Sequence, residues 1–558
     1  MHTTTAASEA GAATRRYLAA MRDRGPLVID WAGAPTRHKR YPGAARARLP
    51  WAAGDGSALG LIGELLRDLL GMTRLVWSHQ LDDRGEPLGR PPMLITGRPA
   101  PSGGGLYPIE AYVAAGVPGL PSALYHYDPV HHVLERVRGG DHVPALAGLL
   151  ADGPVADVVV VLSGVFWRSM FKYGDFGYRL ICQETGVLIA QALAVGGRLG
   201  LAGRACLRFP DGEVNRLLGL DGTREAALAV LTLSLPPGNT RHPNAKPPDA
   251  GPPYARPPDA EPPDAEPPPP SPSAGELMAR PVAGESTPLP KAMPDGLAAA
   301  LHRACTSTSP TSPTGPPEPA EAEALRPRLP ARPGRAVPAP GPATGIQAAA
   351  SGVPRRTSPL AGYRPVPLMG AALGAVLAAA GGGYPADLPG AAAGPAMTAL
   401  CLLSLRVEGL PRGAYWYDPA RHTLHELAGA EQVDAVATGR LLANTRVALR
   451  GAAAVLVPVG DPVAGARLFG DRWYRMQQME AGLVAQRATL AAVALGLAAR
   501  IHSDGANETT DEVLTLAGTP LRSLSFLVLG TPPTGGPLVA RPVPALVREE
   551  VMPVPTTS

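Results

Sequence analysis

Cysteine and lysine are both scarce in this chain of 558 residues. The four cysteines, Cys182, Cys206, Cys305 and Cys401, stand far apart with no CxxC spacing, which excludes a dense disulfide framework and a cysteine-rich zinc site. That usage fits a reducing cytoplasm, and no metal-ligating pattern is read in the chain. Only Lys39, Lys172, Lys246 and Lys291 are lysine, the rest of the 51 basic residues being arginine, so a lysine inside a folded body stands out. An excess of one charge sign is missing too. The 51 basic and 47 acidic residues leave a net +4, which gives no strong field for nucleic acid or an anionic membrane. Aromatic residues are only 5% of the chain. Residues 1–25 mix acidic and basic side chains without an apolar core segment and do not read as a secretion signal. One uncharged run, residues 365–383, approaches membrane-spanning length; its Ala and Gly content reads as a packed helix instead.

Glycine and proline, by contrast, are abundant, at 65 and 66 residues. Residues 236–345 hold 31 of the prolines, a compositional boundary rather than a gradient. Three PPDA units, at 247–250, 257–260 and 262–265, carry almost no large apolar side chain that could offset the entropy of ordering. The expected organisation is therefore a first body over 1–235, a Pro-rich disordered linker over 236–345, a second body over 346–532 and a tail over 533–558. Within the linker, residues 296–305 could form one isolated helix. At about 3 Å per residue a polyproline-like tether crosses any face of such a body, leaving the two free to dock.

The bodies resemble each other. LPSALYHYDPVHHVL at 120–134 and LPRGAYWYDPARHTL at 410–424 agree at eight of fifteen positions, offset by 290. Gly174, Asp175, Tyr178, Arg179, Glu184 and Gly186 recur as Gly470, Asp471, Tyr474, Arg475, Glu480 and Gly482, offset by 296. Duplication of one domain is the simplest account. Within the first copy, apolar spacing predicts helices over 60–70 and 176–199. Residues 109–115, 155–162 and 226–233 read as strands, and 125–137 as a hairpin turning at Asp128-Pro129. Helices and strands do not alternate strictly, so the fold class is α+β.

Two patches could carry chemistry. Arg98-Pro99-Ala100-Pro101-Ser102-Gly103-Gly104-Gly105 precedes a strand; its glycines allow close backbone approach to a ligand, with Ser102 and Arg98 as donors. Gly-rich turns before strands are also common without any ligand. Lys172-Tyr173 offers two protons to tune, since burial lowers a lysine pKa and a neighbouring ammonium lowers a phenol's. A surface lysine beside a packed tyrosine is the plainer alternative. Arg179 follows, equally readable as an ordinary helix-face ion-pair donor.

These patches, in this order over residues 34–235, resemble the SagB-type azoline dehydrogenases of the nitroreductase-like flavoprotein superfamily. The motifs are PSGGGLYPIEAYV, YHYDP and KYGDFGYR. The resemblance implies an α+β fold binding FMN at a two-fold dimer interface, with Arg98, Pro101, Ser102, Gly103, Gly104 and Arg179 as cofactor contacts and Lys172 and Tyr173 as the catalytic pair. It implies oxidation of thiazoline or oxazoline rings to thiazole or oxazole in a precursor peptide, in natural-product or antibiotic biosynthesis, with cyclodehydratase enzymes as possible partners. In the second copy Lys172 falls on Leu468, Tyr173 on Phe469, Ser102 on Ala392, Gly103 on Ala393 and Gly105 on Pro395, so that copy should be silent. It keeps Arg355 and Arg356, which could complete the flavin site of the first copy or be ordinary solvated arginines. The expectation is a tandem, intramolecular pseudo-dimer with one FMN site, cytoplasmic, binding neither nucleic acid nor membrane. The alternatives are an NAD(P)H-dependent nitroreductase or flavin reductase, and a non-catalytic peptide-binding scaffold.

Overall fold

β-Branched runs punctuated by Gly and Pro build the first half around an antiparallel sheet. The computed structural model describes residues 10–22, 24–25, 27–54, 56–78, 88–89, 91, 93–239, 276, 284, 291–306, 319–328, 334–342, 349–359, 362–534 and 539–540. Its first half contains α1 (Ala12–Arg22), β1 (Arg46–Arg48), α2 (Ala58–Leu70), β2 (Arg74–Ser78), β3 (Met93–Gly97), β4 (Ile109–Val117), β5 (Leu120–Asp128), β6 (Val133–Gly139), β7 (Val158–Val165), α3 (Phe166–Tyr173), α4 (Phe176–Arg198), β8 (Ala202–Cys206) and β9 (Glu225–Ser234). The second contains α5 (Leu297–Cys305), β10 (Ala336–Pro338), α6 (Gly370–Gly381), β11 (Ala399–Ser404), β12 (Gly413–Asp418), β13 (Thr423–Ala428), β14 (Ala454–Gly460), α7 (Arg472–Ala494), β15 (Ala498–Ile501), β16 (Arg522–Ser523), β17 (Leu527–Gly530) and β18 (Val539–Ala540).

The two main sheets share one strand order. The first runs β1-β6-β5-β4-β7-β9-β8 and the second β10-β13-β12-β11-β14-β17-β15, with β16 also on β14. A third, small sheet joins β18, β2 and β3. Register repeats as well: Arg46 faces Glu135 as Ala336 faces His425, and a bulge between Leu124 and Tyr125 recurs between Ala414 and Tyr415. Both YDP hairpins close alike. Tyr127 Oη and His132 Nδ1 lie 2.9 Å apart, as do Tyr417 Oη and His422 Nδ1. Asp128 and Asp418 accept backbone N–H groups two and three residues on, and His132 and His422 take φ of 53° and 47°.

The helix read over 60–70 is α2, capped by Ser57 Oγ at 3.1 Å from Gly60 N, with its leucine stripe buried. The strand read over 155–162 is displaced to β7, because pairing with β9 starts at Val158–Leu233 and Val155 is left in solvent. α4 and α7 pack against each other at the centre. Gly186 and Gly482 lie where each helix meets the other's backbone: a Cβ on Gly186 would come 1.7 Å from Met479 O, and one on Gly482 2.0 Å from Gln183 O. Gln183 Nε2 reaches Gln478 Oε1 at 2.8 Å, and Gln486 Nε2 reaches Gln191 Oε1 at 2.7 Å. The largest apolar cluster runs through both halves across this contact, and each half keeps an outer cluster of its own.

The expectation of a disordered linker over 236–345 needs correction in its second half. α5 is packed rather than isolated: Ala298 N donates to Asp175 Oδ1 at 3.2 Å, and His302 lies edge-on to Tyr178 with centroids 5.7 Å apart. α1 does the reciprocal thing to the other half, Thr14 N and Oγ1 donating to Asp471 Oδ1 at 2.7 Å and Tyr17 meeting Tyr474 edge-on at 5.6 Å. The repeat thus reaches back to residues 291–306, and β10 belongs to the second sheet. Proline count misplaced the boundary because Ala, Leu and Cys in 297–305 bury a face whatever the composition around them. Residues 241–275, with the PPDA units, and most of the tail lie outside the described residues. Among the described residues α4 alone is long and apolar enough to cross a membrane, and it is buried between the halves; residues 370–381 form the packed helix α6.

Candidate functional site

β3 delivers Arg98 and then the glycine loop. Gly104 and Gly105 take φ of 65° and 66°, the region open to glycine, while Ser102 Oγ accepts from Tyr107 N at 2.8 Å and closes the turn. Below the loop, Glu184 of α4 accepts from Gly103 N at 2.8 Å. Above it, the last turn of α3 brings Lys172 and Tyr173 over Gly104. A Cβ there would lie 2.7 Å from Tyr173 Oη and 2.9 Å from Lys172 Nζ. The two sequence patches therefore meet at one glycine. A small cleft beside the loop is lined by Leu69, Arg98, Pro101, Tyr107, Glu184 and Leu188 among others.

Burial dominates the electrostatics. It lowers the pKa of Lys172. It pushes the Tyr173 phenol up to about 12, with Glu184 adding to the rise and Arg500 opposing it. The expectation that the ammonium would acidify Tyr173 is thus reversed, because desolvation outweighs it. Glu184 is raised to about 7, chiefly by burial, against the stabilising bonds from Gly103 and Ser102. His38, 3.4 Å from Arg98 Nη2, is lowered to about 4 by burial and then by the Arg98 charge. Arg98 itself is 2% exposed, and its Nε and Nη1 have no hydrogen-bond partner among the described residues. Buried guanidinium donors without partners are costly, and an anion or a ligand carbonyl at the loop would satisfy them.

Arg356, from the second half, is buried and donates to Pro99 O at 2.5 Å and to Ser358 Oγ at 3.1 Å. Burial, then neighbouring Arg74, lowers its pKa. Arg74 in turn donates to the carbonyls of Arg356 and Arg98. Arg355 departs from the expectation: it is exposed and bonds Ser351 in its own turn. Arg179 donates to Leu524 O at 2.5 Å, a contact between the halves rather than with the loop, and its buried Nε has no partner among the described residues. Sequence reasoning missed Glu184 and Arg500 as neighbours of the pair, and His38 as a neighbour of Arg98. Glu184 carried a signal, being a position shared by both copies.

The corresponding place in the second half is closed. Glu480 accepts from Tyr384 Oη, Ala396 N, Met397 N and Thr398 Oγ1 at 2.7–2.9 Å, and Phe469 stacks on Trp473 with centroids 6.0 Å apart. Leu468 and Phe469 hold no titratable proton. Among the described residues no cluster of side chains could hold a metal ion.

No protein-family model matches the chain. A protein of Anabaena variabilis, provisionally described as a nitroreductase, superposes with a TM-score of 0.66 at 21% identity, covering 93% of this chain and 99% of its own. The fold is that of the nitroreductases. Three curated relatives align over shorter stretches. The Escherichia coli Microcin B17-processing protein McbC is 31% identical over 143 residues, 24% of this chain and 52% of its own length. Nitroreductase MJ1384 of Methanocaldococcus jannaschii, also a provisional description, is 30% identical over 21% of this chain and 62% of its own length. The Rhizobium leguminosarum Trifolitoxin-processing protein TfxB is 28% identical over 24% of this chain and 38% of its own length. The chain thus spans about half the length of the curated relatives it matches, and these likenesses relate it to nitroreductase-like proteins of the McbC type.

Proposed function

We propose that this protein is an FMN-dependent dehydrogenase that oxidises thiazoline or oxazoline rings of a ribosomally made precursor peptide to thiazole or oxazole. We read its two halves as tandem copies docked as an intramolecular pseudo-dimer with one working site. The observation that carries the reading is the convergence of Lys172 and Tyr173 on Gly104, in a loop whose first residue, Arg98, is buried with unmet donors. Two relatives named for the processing of microcin B17 and trifolitoxin support a peptide substrate, and cyclodehydratase enzymes, which make azolines, would be its suppliers.

The residues fit a flavin. Arg98, buried with unmet donors, offers hydrogen bonds to the polar edge of a planar ring, and Arg356 braces the loop through Pro99 O. Azoline oxidation removes a proton from Cα and a hydride from Cβ, and a bound flavin would supply the hydride acceptor. Lys172 takes the proton: burial favours its neutral amine, and its position above Gly104 faces the loop on which the ring would lie. Tyr173 keeps its proton at neutral pH and offers a hydrogen-bond donor beside the amine. In a cytoplasmic setting dioxygen would restore the oxidised flavin.

The test is an absorption spectrum and a turnover assay. Purified protein should be yellow, with flavin bands between roughly 350 and 500 nm. Lys172→Ala should keep the colour and lose azole formation by about 10²–10⁴-fold, the range for removing a general base. Undiminished turnover would remove the assignment of Lys172. Rapid bleaching by NADPH without peptide would favour a small-molecule nitroreductase, and a colourless protein a scaffold.

A further inference from the structure

The described residues of the segment 24–33 carry no regular secondary structure, yet they follow α3 closely. The segment runs antiparallel to it. Gly33 O accepts from Trp167 Nε1 at 3.2 Å, Trp31 meets Phe171 edge-on with centroids 5.9 Å apart, and Leu27 Cδ2 is 3.8 Å from where a Cβ on Gly174 would be. Beyond α3, the Arg24 guanidinium sits 3.7 Å over the Phe176 ring. The strap is therefore fixed along the helix whose last turn carries Lys172 and Tyr173, and the Lys172 ammonium lies 5.9 Å from the Trp31 ring centroid.

Its side chains face the wrong way for a core. Leu27, Val28 and Trp31 are 53%, 93% and 63% exposed, three large apolar groups within five residues at the rim of the site. Contiguous exposed apolar surface marks an interaction site, and tryptophan is the residue most enriched where binding energy concentrates. A permanent partner over Trp31 would also cover the approach to Lys172, so the occupant must come and go with turnover.

We infer that Leu27, Val28 and Trp31 form a docking lip for apolar residues flanking the reacting ring of an extended peptide. Trp31 acts here as a specificity-determining residue, stacking on a flanking side chain rather than taking part in proton transfer. The inference rests on the peptide substrate proposed above and names how that peptide is gripped. The probe is a fluorescein-labelled heptapeptide with a central thiazole between Val and Phe residues, followed by anisotropy, with its thiazoline counterpart assayed for turnover. Trp31→Ala should weaken anisotropy binding and raise KM about tenfold, the effect of losing one aromatic anchor, with Trp31→Phe restoring most of it. Val28→Ser should act in the same direction. Equal affinity in wild type and Trp31→Ala overturns the lip, and so does a fall in kcat with a shifted pH profile at constant KM, since that would make Trp31 a support for Lys172. Wild-type protein that binds the thiazole peptide but leaves the thiazoline unoxidised sinks the proposed reaction while the lip stands.

Discussion

Glu184 shows what a single side chain can mean twice. Its counterpart Glu480 is sealed by four donors, whereas Glu184 holds Gly103 N under the loop and borders the cleft; burial raises its carboxyl to about 7 against 4.5 for an ordinary glutamate, with the Gly103 bond opposing the rise. A raised carboxyl means that the folded state binds the proton more tightly than the unfolded chain. Its contribution is therefore greatest below about pH 4.5 and is lost as pH rises through about 7, by about 3 kcal/mol in all. Glu184→Gln, which still accepts from Gly103 N but cannot ionise, should lose that dependence. Denaturant midpoints at pH 5 and pH 8 would show it, the wild-type curve falling more steeply than the variant's; parallel curves would mean that Glu184 does not titrate there. Lys172 and Tyr173 were legible from their rarity and adjacency, but the rise in the Tyr173 pKa was not, because burial is a property of the neighbours.

Among the elements, the crossing of α4 and α7 is set by two glycines that the repeat paired. The sequence marks Gly186 and Gly482 as recurring; only the packed helices show why. Each meets the partner's backbone, which cannot yield as a side-chain tip would. Gly186→Ala should destabilise the protein by about 1–3 kcal/mol, the usual cost of overpacking a tight contact, and lower Tm correspondingly. An unchanged Tm would show the helices free to slide apart. The YDP hairpins teach the opposite lesson. Asp128 and Asp418, with the Tyr–His pairs, close turns alike in both halves, so that motif persists for folding reasons even where Leu468 and Phe469 stand in place of Lys172 and Tyr173.

For the whole molecule, the question is where the second half begins. Each half extends a helix onto the other, α1 to Asp471 and α5 to Asp175, and buried Arg475 pairs with Asp211 across the contact at 2.8 Å. Two separate chains, 1–239 and 291–558, should therefore assemble when co-expressed and elute together, since they hold these contacts between them. The pair 1–235 and 346–558, cut where composition alone would cut, lacks α5 and β10 and should yield little soluble complex. Equal yields from the two designs would show that α5 adds nothing to the docking.

The amino-acid order by itself determined the α+β class, the repeat with its two offsets, the uneven side chains of the copies and the two patches that meet at Gly104, because these are matters of side-chain type and spacing along the chain. Only the tertiary structure decided that α5 belongs to a packed interface, that Arg356 rather than Arg355 reaches the loop, and that Lys172 is the group whose proton is loosened. Those outcomes depend on which surfaces exclude water from one another, and residues hundreds of positions apart settle that together.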